Sequence, residues 1–128
     1  MYKGQAYPSV ETKIKRSKIS DGLSVEVTIP KNAEVKANEF IEADGWHGFT
    51  FAGVTKTDTE RVVAVNIEQC EYETSQIASE TFNVGADLYF DKTAKKLTVT
   101  KASNTRVGRV TKTKNADGAI CFILAAQA

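Results

Sequence analysis

Histidine is nearly absent from this chain: His47 stands alone among 128 residues. That excludes a histidine-rich metal centre and any mechanism that needs two imidazoles. Cysteine is scarce too. Cys70 and Cys121 are the only two, both in strand-like apolar context, and their spacing matches no metal or redox motif. Two buried free thiols are expected in preference to one disulfide, and synthesis inside the cell is expected with them. No apolar run approaches the roughly 18 residues that a membrane helix needs. The first residues, with Lys3 and Tyr7-Pro8, lack the apolar stretch of a signal peptide. Neither membrane spanning nor secretion by the general pathway is expected. An excess of one charge is also missing, since 17 basic and 16 acidic side chains nearly cancel. No global field therefore points to nucleic acid or anionic lipid.

What charge asymmetry exists is local. Residues 1–20 carry Lys3, Lys13, Lys15, Arg16 and Lys18 against Glu11 alone, a net charge of +4, so the remainder carries −3. Residues 1–22 are read as a basic arm, in which Val10, Thr12 and Ile14 offer at most one edge strand. Residues 23–128 are read as a single β domain, because an apolar share of 41% fills one ordinary core and not two. A loose, solvated terminus and an arm that docks onto an acidic surface both suit the composition of residues 1–22.

Past Asp21-Gly22, the pattern has period two. Leu23, Val25, Val27 and Ile29 alternate with Ser24, Glu26 and Thr28 until Pro30 removes a ladder donor. Val35 to Ala43 slips parity between Ala37 and Phe40, which predicts a bend or bulge at Asn38-Glu39. Asp44-Gly45 predicts a turn running through Gly48, followed by a strand from Phe49 to Val54 in which Gly53 marks a close backbone approach. Val62 to Ile67, β-branched on both faces, reads as a central strand. Glu71 to Thr74 resumes alternation, and Ile77-Ala78 suits one short helical turn. Ala86, Leu88 and Phe90, then five polar residues, then Leu97-Thr98-Val99-Thr100, predict a hairpin. Arg106 to Val110 and Ala119 to Leu124 complete the set. About eight short strands without a helical period predict an all-β barrel or sandwich.

Chemistry finds little support in these residues. His47 has no nucleophile elbow or other local signature beside it. The carboxylate pairs Asp87 with Asp91, Glu71 with Glu73, and Glu39 with Glu42 suit solvated strand faces better than a cleft. No Asp-rich loop suits calcium and no glycine pattern suits a phosphate. The expectation is a non-enzyme with no catalytic, cofactor or metal residues. Trp46 and His47, in a turn between glycines, are candidate contact points on a partner; Trp46 folded back over one end of the core is the structural alternative. Arg106, Arg109, Lys112 and Lys114, with Tyr89 and Phe90 nearby, leave a β-barrel module for single-stranded nucleic acid or glycan as the alternative function.

The segment Gly85-Ala86-Asp87-Leu88-Tyr89-Phe90-Asp91, then Lys96-Leu97-Thr98-Val99-Thr100, then Asn104-Thr105-Arg106-Val107-Gly108 resembles the small phage head proteins that decorate or cement capsids, a family common in prophages. The closing run Ala119 to Leu124 fits, as do Thr28-Ile29-Pro30, Val35 to Phe40 and Phe51-Ala52-Gly53-Val54 upstream, so the resemblance covers roughly residues 23–124. Where that family usually has glycine after the Val35 stretch, this chain has Asn38. The resemblance implies a non-enzymatic decoration or cement protein of the virion, made in the bacterial host cytoplasm. It implies binding to the outer face of the major-capsid protein lattice as a homo-oligomer, with a trimer favoured. Lys13, Lys15, Arg16 and Lys18 are then the expected contacts to an acidic capsid surface, with Trp46 and His47 as a second contact.

Overall fold

The structure, a computed structural model, describes residues 17–127. Among them are nine strands and no helix: β1 Ser24–Thr28, β2 Phe40–Ala43, β3 Trp46–Thr50, β4 Val62–Asn66, β5 Glu71–Thr74, β6 Asp87–Asp91, β7 Lys96–Thr98, β8 Thr105–Lys112 and β9 Ile120–Leu124. The first four form one sheet in the order β1-β4-β3-β2, and the last five form a second in the order β5-β9-β8-β6-β7. Every neighbouring pair of strands is antiparallel. The two sheets pack face to face as a small sandwich, and the barrel alternative is set aside.

Between the sheets lies an aromatic core. Phe40 and Phe49 from the first sheet meet Leu88, Phe90, Leu97, Val107, Val110, Ile120, Phe122 and Leu124 from the second, and Phe82 joins from the crossing between β5 and β6. The Phe40 ring stands 5.2 Å from Phe49 and 5.1 Å from Phe90, centroid to centroid. Rings at these separations, tilted or edge-on, add specific attraction to the area they bury. A second, smaller core of Val27, Ile29, Ile41, Val54, Val63 and Val65 occupies the opposite face of the first sheet. It is roofed by the segments that follow β1 and β3, which meet in a bridge between Val35 and Val54. Gly53 is required there, because a Cβ would come within 2.9 Å of the Val35 carbonyl oxygen.

Arg61 ties this roof down. Its guanidinium donates to the carbonyl oxygens of Thr55 at 2.6 Å, Pro30 at 2.7 Å and Ala33 at 2.6 Å, and its Nε donates to Ile29. One planar cation thus satisfies carbonyls from both roof segments, which five fixed donors suit well.

Two glutamines do for the sandwich what Arg61 does for the roof. Gln76, in the crossing after β5, accepts from the Phe40 N–H and donates back to the Phe40 carbonyl, each at 2.8 Å. Its amide therefore replaces a neighbouring strand along the outer edge of β2. Gln127, after β9, does the same for His47, accepting from its N–H at 3.0 Å and donating to its carbonyl at 2.9 Å. Each link joins an element of one sheet to a segment leading from the other.

Most expected elements are present, and two local expectations are corrected. The Asp44-Gly45 turn ends after two residues instead of running through Gly48: Asp44 has φ 52° and Gly45 φ 84°. Two left-handed residues in succession match the strand twist and close a tight hairpin, so Trp46, His47 and Gly48 lie in β3. Ile77 makes a parallel bridge to Leu97 in place of a helical turn. The predicted bend after Val35 occurs at Asn38, which has φ 61°. Asparagine tolerates the left-handed region better than most non-glycine residues, which accounts for its standing where glycine is usual in the resembling family.

Candidate functional site

The β2–β3 hairpin brings together the residues that sequence reasoning grouped as a contact, and then separates them. Trp46 lies opposite Ala43 and His47 opposite Glu42, so the two side chains emerge on opposite faces of the sheet. Trp46 is 38% exposed, whereas His47 is 2% exposed. The expectation of His47 at an exposed turn is therefore corrected: the tight hairpin draws it into the strand and turns its ring toward Phe40, 6.2 Å away. Trp46 remains on the surface beside the smaller core and does not close over the aromatic one.

The surroundings of His47 are those of a scaffold residue. Since Ala43 and Trp46 close the two-residue turn, the His47 N–H and carbonyl point away from β2. They point toward the side where β4 has already ended, because Asn66, its last residue, pairs with Phe49. Gln127 fills that vacant ladder position. The Nε2 atom is buried without a hydrogen-bond partner among the described residues. Burial pushes the imidazole below its ordinary pKa, and the nearby Glu42 carboxylate opposes that only in part. The hairpin tip is anchored as well, for the Asp44 carboxylate accepts from the Thr28 N–H at 2.8 Å.

Of the basic arm, Lys13, Lys15 and Arg16 lie outside the described residues. Lys18 is exposed and pairs with Asp21 at 2.9 Å.

Three of the carboxylates paired in the sequence are engaged in links across the second sheet. Glu71 accepts from the Thr111 hydroxyl at 2.6 Å and Glu73 from the Asn115 amide at 3.2 Å. Asp87 pairs with Arg106 at 3.0 Å and lies opposite Arg109. The basic residues of β8 are thus interleaved with acids and form no continuous cationic stripe. An open cleft of about 570 Å³ beside the β6–β7 hairpin is lined by Glu42, Glu80, Asp91, Thr98, Thr100 and Asn104, among others. Burial raises the Glu80 pKa, but bonds from the Val99 N–H and the Thr98 and Thr100 hydroxyls outweigh it and hold the carboxyl below its usual range. Glu80 therefore stands as a fixed anion whose lone pairs are occupied by the end of β7 and the residues after it.

An apolar surface that sequence reasoning missed lies on the first sheet. Phe51 is 57% exposed and Val62 43% exposed. The Phe51 N–H donates to the Ala64 carbonyl, which continues the Phe49–Asn66 register and sets Phe51, Ala64 and Val62 on one face. The second sheet covers that face at Phe40 and Phe49 and leaves this part bare. The alternation on both faces of Val62 to Ile67 was the only available signal.

No curated protein and no solved structure gives a significant match to the chain. A family model described as phage cement protein matches residues 19–126. That span takes in both sheets, both cores and the β2–β3 hairpin. The chain belongs to the phage cement protein family and is a structural phage head protein that associates with the capsid.

Proposed function

We propose that this protein is a non-enzymatic decoration protein that binds the outer surface of the major-capsid protein lattice and stabilises it. The observation that supports this most is the family match over residues 19–126. It acts on the virion surface, after synthesis in the bacterial host cytoplasm, as a homo-oligomer for which a trimer is favoured. An oligomer bridging several capsid subunits needs only modest affinity at each, since linked contacts multiply.

Lys13, Lys15, Arg16 and Lys18 supply a positive approach to an acidic capsid surface, and Trp46 supplies an aromatic contact at the hairpin tip. His47 serves this surface indirectly, by fixing the strand from which Trp46 projects. Adding the protein to undecorated capsids tests the proposal. Trp46→Ala is expected to lower capsid occupancy with an unchanged unfolding midpoint, whereas a loss of fold would make Trp46 a core residue. Deletion of residues 1–20 is expected to weaken binding and flatten its salt dependence. Unchanged affinity after that deletion removes the arm from the contact.

A further inference from the structure

The backbone of His47 is fastened differently from its neighbours in the first sheet. Opposite Glu42 it forms a pair that exchanges no hydrogen bond, because Ala43 and Trp46 close the turn. On its other side β4 has already ended at Asn66. Both His47 backbone groups go to the Gln127 amide, at 3.0 Å and 2.9 Å, and to nothing else among the described residues. Gln127 is carried by the segment that leaves β9, where the Ala125 N–H donates to the Val107 carbonyl. At this end of the sandwich one side chain therefore ties the hairpin that presents Trp46 to the second sheet.

The ring suits only one charge state. A neutral imidazole has one N–H and one bare nitrogen, whereas the protonated ring has two N–H groups and no acceptor. Nε2 is buried with no partner among the described residues. A proton there places a cation and an unpaired donor in an apolar setting beside Phe40, which costs far more than an unpaired neutral nitrogen. The surrounding charges do not remove that cost. β2 contributes Glu42 directly opposite, and the hairpin tip contributes Asp44, whose carboxylate holds the Thr28 N–H. The second sheet and its crossing contribute Glu80, Asp91, Lys92 and Lys96 around the cleft that Glu42 also lines. β4 and residues 125–127 carry no charged side chain. Glu42 favours the proton, and burial outweighs it. Since Glu42 is only partly buried, a cationic ring gains both this carboxylate and water by turning outward with its strand.

We propose that His47 and Gln127 form an acid-released latch: with the imidazole neutral the hairpin is tied to the second sheet, and protonation opens β3 at His47 while the rest of the sandwich stays folded. A local opening is suited to this place. Only two backbone bonds hold His47, both to one side chain, and segments so held open at lower free energy than the whole domain. The opened ring has the ordinary pKa of about 6.5 and the closed ring a lower one, so each pH unit between the two raises the open fraction up to roughly tenfold. The latch belongs to the isolated protein and stands whether or not Trp46 meets a capsid. Where Trp46 is a contact, acid loosens the strand that carries it.

Amide hydrogen exchange, read by NMR on the full-length protein without capsids, tests the latch. Protection at the His47 amide, corrected for the intrinsic rate, is expected to lie below that of β8 and β9 amides. It should fall by up to roughly tenfold per pH unit below about pH 6.5. In His47→Gln the amide at position 47 should lose that slope. Gln127→Ala should lower protection at His47 by roughly tenfold or more at neutral pH, since both backbone bonds go at once. Native β8 and β9 resonances verify that each variant is folded. Protection at His47 equal to that of β8 and β9 at every pH means that only whole-molecule unfolding frees it, and overturns the proposal. So does a pH slope that survives His47→Gln, or protection at His47 that is indifferent to Gln127→Ala.

Discussion

Removing the Gln76 side chain should destabilise the protein far more than its place outside any strand suggests. Its amide makes three bonds: one from the Phe40 N–H, one to the Phe40 carbonyl, and one to the Lys95 carbonyl at 3.1 Å. Phe40 is fully buried at the meeting point of the aromatic core, so water does not readily replace what Gln76→Ala takes away. Leaving a buried donor or acceptor unpaired costs about 1–3 kcal/mol. Two such groups on Phe40 give an expected loss of about 3 kcal/mol, with the more exposed Lys95 carbonyl adding little. In urea, with a slope of roughly 1–3 kcal/mol per molar, that lowers the unfolding midpoint by about 1–3 M at unchanged slope. Gln76→Glu sharpens the test. Ionised, it still accepts from the Phe40 N–H but sets a carboxylate against two carbonyls; protonated, it regains a donor. Its deficit should therefore shrink as pH falls toward the carboxylate range. A Gln76→Ala cost below about 0.5 kcal/mol, the scale of an ordinary surface change, refutes the role of the glutamine as a strand surrogate.

Arg61→Ala should cost about 2–4 kcal/mol, because several carbonyls of the roof lose a charged donor together, and Arg61→Lys should recover only part of it in equilibrium unfolding. For His47, the folded-state pKa is depressed by burial below the ordinary 6.5, so the unfolded chain binds the proton more readily. Stability from this group is complete above about pH 6.5 and is lost as pH falls below it toward the folded-state value. Unfolding midpoints of wild type and His47→Gln across that range should converge on acidification, and parallel curves would contradict the assignment. Cys70 precedes β5 on the parity of Tyr72 and Leu124, facing the core, whereas Cys121 lies opposite Glu73 on the outer face. Mass spectrometry after mild oxidation should therefore find no intramolecular disulfide.

The elements legible in the sequence were those with local causes. Leu88 and Phe90 opposite Leu97, with a polar turn between, declare the β6–β7 hairpin by alternation alone, and the structure pairs Phe90 with Leu97. Asn38 was legible as a break because parity slips there. The β2–β3 hairpin was misjudged because Trp46-His47-Gly48 lacks alternation and Gly48 resembles a turn residue. Its glycine serves packing instead, since a Cβ would collide with the Asn66 carbonyl oxygen of the adjacent strand. Gln76, Gln127 and Arg61 left no trace in sequence. Their partners lie 36, 80 and up to 32 residues away, and no spacing rule predicts which carbonyl or amide a long polar side chain will reach. The bare face at Phe51 and Val62 escaped notice for the converse reason: apolar residues on both sides of a strand suggest burial on both sides, and the second sheet stops short.

The central claim, attachment to the outside of the capsid lattice, is tested most directly by incubating the purified protein with capsids that lack it and imaging them by cryo-electron microscopy. Ordered density at symmetry-related sites on the outer surface, together with capsids that survive higher temperature than undecorated ones, is the predicted result. Capsids with a bare outer surface and unaltered thermal stability at saturating protein would contradict it.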